Sequence, residues 1–114
     1  MSKQAVKVAF DLYVATAVPV SPASFHRRAS SLMDALMDLD ACNDDIADPT
    51  VSSDAGESVM NVEVLVFTDD PIAALEKASA ILRTALHAAG AATSAWPITR
   101  MTHHTGTVTR LAEA

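Results

Sequence analysis

Two helix starts of the same design fix the layout of this chain. Ser21-Pro22 and Asp70-Pro71 each set a capping side-chain oxygen before a proline. A proline at the first helical position gives up only an N–H that no carbonyl of the helix would receive. Each start follows a strand-like run and opens an apolar stripe at helical spacing. The resulting order, strand, helix, strand, strand, helix, strand in 114 residues, leaves few folds open.

The runs between the starts fill in that order. From Val6 to Val14 the chain alternates, with Val6, Val8, Phe10, Leu12 and Val14 on one side and Lys7, Ala9, Asp11 and Tyr13 on the other. Period two is a half-buried strand. After Pro22, the residues Phe25, Ala29, Leu32, Leu36 and Leu39 recur at helical spacing through Ala41, and Met33 and Met37 widen the stripe. The polar stretch Asn43 to Asp48 reads as a loop, and Asp48 to Asp54 as a weak strand. Pro49 cannot donate to a ladder, so that strand belongs at a sheet edge. Ala55-Gly56-Glu57 supplies a turn.

Val59 to Phe67 is the strongest strand. Met60, Val62, Val64 and Val66 form one face, and Asn61, Glu63, Leu65 and Phe67 the other. Leu75, Ala78, Leu82, Ala85, Leu86 and Ala89 make the stripe of the second helix, and Gly90 is a C-cap candidate. Thr93 to Trp96 reads as loop or a short strand. Thr105 to Leu111 reads as the last strand, and residues 112–114 as a frayed end.

The order predicts an α+β, ferredoxin-like βαββαβ sandwich: a four-stranded antiparallel-type sheet with two helices on one face, residues 1–114 making one domain. The first and third strands are expected as parallel neighbours at the sheet centre, with the second at an edge. The helices then cover Val8, Phe10, Leu12, Met60, Val62, Val64 and Val66. The opposite face is left open. On the parallel pairing, Tyr13, Leu65 and Phe67 collect at one end of it, and Asp11 and Glu63 near the middle.

That apolar end is the main functional expectation. Contiguous apolar patches mark interfaces or ligand sites, and aromatic anchors on a flat patch are what interfaces use. The residues expected to carry binding or dimerisation are Tyr13, Leu65 and Phe67, with Trp96 at the rim. The competing expectation is that the C-terminal segment, with Trp96 and Leu111, folds back over the patch.

Other chemistry is weaker in the sequence. Asp11 and Glu63 on one sheet face suggest a carboxylate pair for acid–base work, although solvated polar residues are the ordinary case there. None of His26, His87, His103 and His104 has the i, i+4 helical spacing of a metal pair. Adjacent strand residues point to opposite faces, so His103 and His104 would share a metal only from a loop. The acidic run Asp38, Asp40, Asp44, Asp45, Asp48 lacks the central glycine and terminal glutamate of a calcium loop. Cys42, the single cysteine, stands beside acidic residues, which disfavour a thiolate. No metal site, cofactor or catalytic residue is therefore assigned.

Composition limits the partners. A net charge of −6 disfavours phosphate backbones and anionic membrane surfaces. RNA binding on the open sheet would need aromatics flanked by cations, and Lys7 is the one cation among the open-face residues of the two central strands. With one cysteine no internal disulfide forms, and Met1-Ser2-Lys3-Gln4 leads straight into a strand pattern rather than a leader. A cytoplasmic protein is the expectation.

The runs Asp48-Pro49-Thr50-Val51-Ser52-Ser53-Asp54 and Arg83-Thr84-Ala85-Leu86-His87-Ala88-Ala89-Gly90, followed by Thr93 and Trp96, make the chain resemble a group of small uncharacterised proteins of actinobacteria and their phages. The resemblance covers about half the chain. Members of the group place a glycine before the tryptophan, where this chain has Ala95. The resemblance implies origin; it lends no activity and no catalytic residue.

Two functions follow as expectations. The first is a non-enzymatic module acting by self-association or by binding a protein through the open face. The second is a dimeric α/β-barrel-type small-molecule binder or enzyme, with a pocket between two sheets and Asp11, Glu63, His103 or His104 as its polar groups.

Overall fold

A computed structural model describes residues 2–14, 21–89 and 98–111 of the chain. The elements run β1 (Ser2–Val14), α1 (Pro22–Cys42), β2 (Ile46–Asp54), β3 (Val59–Val66), α2 (Pro71–Ala88) and β4 (Ile98–Leu111). The four strands form one sheet in the order β2-β3-β1-β4. This is the ferredoxin-like arrangement read from the sequence. The second strand lies at an edge, as Pro49 requires.

Both helix starts form as their sequences dictate. The Ser21 hydroxyl accepts from the Ser24 amide at 3.2 Å, and an Asp70 carboxylate oxygen accepts from the Ile72 amide at 3.0 Å. The apolar stripes face inward: Phe25, Ala29, Leu32 and Leu36 of α1, and Ala74, Ala78, Ile81, Leu82 and Ala85 of α2, are buried. They meet Val6, Val8, Phe10, Leu12, Val14, Met60, Val62, Val64 and Val66 from the sheet. No polar or charged residue is buried as a whole among the described residues, although one guanidinium nitrogen of Arg28 is shielded from water.

Polar contacts lock the periphery. The Lys77 ammonium donates to Asn43 Oδ1 at 3.1 Å and pairs with Asp45 at 3.3 Å, which ties α2 to the turn after α1. The His26 imidazole and the Ser53 hydroxyl are hydrogen-bonded, which ties α1 to β2.

The structure corrects several sequence expectations. β1 and β3 are antiparallel, not parallel. The reason lies in the two connections that flank β2. The short turn after Asp54 makes β3 antiparallel to β2, with Asp54 opposite Val59. The α1 crossover makes β1 run the same way as β2, with β3 between them. A strand between two that run the same way must oppose both.

Smaller corrections follow from local geometry. β2 starts at Ile46, inside the stretch read as loop, because Ile46 is buried and pairs with Val66. The turn read at Ala55-Gly56-Glu57 forms, and it extends to Ser58, which takes the left-handed φ of 53°. Asp54 holds that turn by accepting from the amides of Gly56 and Glu57 at 3.0 and 3.2 Å. β4 begins at Ile98 rather than Thr105 and so runs through both histidines. Gly90 and Thr93 to Trp96 lie outside the described residues.

Candidate functional site: the open face of the sheet

The open face is built from residues that alternate with the core. The register sets them in rows across the sheet. One row reads Ala47, Leu65, Lys7, Gly106 from β2 through β3 and β1 to β4. The next reads Thr50, Glu63, Ala9, His104, and the third Ser52, Asn61, Asp11, Thr102. At the far end Asp54, Val59 and Tyr13 stand in line.

These rows separate what the parallel expectation had joined. Tyr13 lies opposite Val59, and Leu65 lies opposite Lys7. The two positions are six residue steps apart along the strand, about 20 Å at the rise of an antiparallel strand. Tyr13 therefore sits at one end of the open face, with Leu65 and Phe67 at the other. The apolar residues form two patches with a polar band between them. Trp96, expected at the rim, lies outside the described residues.

The polar band is internally partnered. Lys7 Nζ stands 3.1 Å from Glu63 Oε2. Asn61 Nδ2 donates to Asp11 Oδ1 at 2.8 Å. Asp11 and Glu63 are thus diagonal neighbours that each hold a different partner. Ala9 lies between Glu63 and His104 and is 1% exposed.

The two adjacent histidines part company. His104 is on the open face, opposite Ala9. His103 is opposite Phe10, on the helix side of the sheet, with ring centroids 6.5 Å apart. Of the four polar-pocket candidates the structure thus brings Asp11, Glu63 and His104 to one face and sends His103 to the other. Among the described residues no group of three or more His, Cys, Asp or Glu side chains is placed to hold a metal.

Sequence reasoning missed one feature of this face. At its β2 margin, Lys7, Asp48, Thr50, Glu63, Val64 and Leu65 line a concavity of about 330 Å³. A β-bulge makes it. The register slips between Ala47 and Thr50, and Asp48 takes the left-handed φ of 52° directly before Pro49. The Asp-Pro dipeptide within the strand was the available signal.

Comparison with known proteins bears on the fold. No protein-family model matches the chain, and no curated protein matches it by sequence. Solved structures are similar to it, two of them as follows. One is a dimeric ferredoxin-like protein of unknown function from Thermobifida fusca YX, with TM-score 0.58 and 14% identity over 93% of this chain and 92% of that one. Another is a "putative antibiotic biosynthesis monooxygenase" from Caulobacter crescentus CB15, with TM-score 0.51 and 17% identity over 97% of this chain and 92% of that one. At such identities the likeness is one of backbone arrangement, and it places this chain among ferredoxin-like folds.

Proposed function

We propose that this protein is a cytoplasmic binding module, residues 1–114 forming one domain, that works by self-association. Two copies meet through the open faces of their sheets. Tyr13, Leu65 and Phe67 supply the apolar contacts, and Trp96 adds a rim by sequence alone. Kinship with small actinobacterial and phage proteins belongs to the same reading.

The observation that carries the proposal is the internal pairing of the polar band. An ion or amide that already holds its partner brings a smaller desolvation penalty into an interface than a lone one. Lys7 with Glu63, and Asp11 with Asn61, are matched within one protomer. The face can lose water without waiting for complementary charges from its partner. The dimeric state of the Thermobifida protein is consistent with this reading. No helix among the described residues is long and apolar enough to cross a membrane.

A second reading has its own observation, the concavity at the bulge. A volume of about 330 Å³ is at the small end of ligand sites. A facing sheet would close it, as in a dimeric α/β-barrel-type binder or enzyme. The Caulobacter protein named as a monooxygenase keeps that alternative open.

Molar mass by light scattering on wild type and Leu65→Glu tests the first reading. An assembly that Leu65→Glu disrupts supports it. A wild-type monomer, or an assembly untouched by Leu65→Glu, overturns it. Binding of a small molecule that Thr50→Trp abolishes would favour the second.

A further inference from the structure

The two edges of the sheet are built differently. β2 has the features that keep an edge from pairing: a proline at position 49, a bulge between Ala47 and Thr50, and carboxylates at Asp48 and Asp54. β4 has no proline and no carboxylate, and its one register shift lies at its start, between positions 98 and 100. It runs 14 residues, and its register with β1 is unbroken from position 100 to Leu111. Residues Met101 to Gly106 are exposed, and a Cβ added at Gly106 would meet nothing within 4 Å. Each of the other five elements carries a carboxylate; β4 carries no carboxylate, no lysine and no proline. Five of its residues are threonines, which favour extended backbone. Among the described residues no strand pairs with its outer side.

We propose that β4 pairs with β4 of a second copy, antiparallel about a two-fold axis perpendicular to the sheet. Strand addition to an exposed edge is a common mode of recognition, driven by main-chain hydrogen bonds. A second copy fits this edge for three reasons. It supplies a strand of equal length. Pairing centred on His104 sets position 103 against 105, and 102 against 106. Positions 100 and 110, both arginine, then pair with positions 108 and 98 of the partner, so no arginine opposes another, and His104 pairs with its own copy.

The axis also leaves both open faces on the same side of an eight-stranded sheet. Strand pairing alone buries less than the roughly 800 Å² per partner of a stable interface. The edge contact therefore acts together with the face contact, and in this the inference rests on the proposed function. The expected assembly is a tetramer of two sheets stacked face to face, each continuous across two copies.

Sedimentation and light scattering on three forms of the full chain test this, together with amide hydrogen exchange. The variant is His103→Lys with Thr105→Lys. Both positions are exposed and on the helix side, so the open face is untouched, and edge pairing would set lysine against lysine. The expected result is a wild-type mass four times that of the chain, falling to twice in the double variant. All amides from Met101 to Gly106 should be protected in the wild type.

A wild-type dimer that keeps its mass in the double variant, with alternate β4 amides exchanging fast, overturns the edge pairing and leaves the face reading intact. A dimer that the lysines dissolve and Leu65→Glu does not would keep the edge pairing and overturn the face reading. A wild-type monomer overturns both.

Discussion

Leu12 and Tyr13 are neighbours in β1, yet they belong to different environments. Leu12 is fully buried beneath the helices, while Tyr13 is half-buried on the open face. The same holds along β3, where Met60, Val62, Val64 and Val66 are buried and Asn61, Glu63 and Leu65 between them are not. The helix-side residues from Val6 to Val14 in β1 and from Met60 to Val66 in β3 are apolar and derive their stability from packing. The open face is a polar band, partnered within itself, with an apolar patch at either end. One surface is finished within a single chain. The other pairs Lys7 with Glu63 and Asp11 with Asn61 and leaves Tyr13 and Leu65 half-buried, which is the surface the proposed association would use.

Substitution at the two neighbours should break this contrast if it is false. Leu12→Ala leaves a cavity and should cost about 2–5 kcal/mol of unfolding free energy, read from urea titration. Tyr13→Ala, at a concentration where the chain is monomeric, should cost about 1 kcal/mol. Equal losses at the two positions would mean that the open face is covered by this chain itself.

Asn61→Asp probes the polar band. It removes the donor to Asp11 and brings a second carboxylate against the first, at a cost of about 1–3 kcal/mol near neutral pH. The sign of its pH dependence follows. Two carboxylates in contact raise the folded-state affinity for a proton above that of the unfolded chain, so stability relative to wild type is lost as pH rises. The deficit should be small at about pH 3 and full at about pH 7. A deficit independent of pH would show that the two side chains do not face each other.

Ser21→Ala tests whether the helix layer is anchored apart from either face. Loss of the cap should cost about 1 kcal/mol and leave the molar mass unchanged. The smallest effect belongs to Lys7→Ala. Its ammonium is half exposed, with 48% of the side chain accessible, so removing the pair with Glu63 should cost the monomer no more than about 1 kcal/mol. The same variant should weaken assembly more than it weakens folding, because Glu63 would enter the interface without its partner. A variant that unfolds readily but assembles normally would sink that view of the band.

Much of this was legible in the residues. Alternation in Val6 to Val14 and Val59 to Val66 fixed which side chains face the helices, because successive strand residues point to opposite faces whatever the partner strand does. Ser21-Pro22 and Asp70-Pro71 set both helix starts through local hydrogen bonds, and Pro49 placed β2 at an edge by lacking a donor. These features act over a few residues, so the sequence determined them by itself.

Strand direction and register are of another kind. Whether Tyr13 lies beside Leu65 or about 20 Å from it depends on which way β3 runs past β1, and the two strands are separated in the chain by a helix and a strand. The partnering of Lys7 with Glu63, the meeting of Asp11 with Asn61 and the parting of His103 from His104 likewise wait on register. Local patterning sorts residues by face. Only the tertiary pairing of strands far apart in the chain decides which residues on a face become neighbours, because a one-face pattern is unchanged when a strand is reversed.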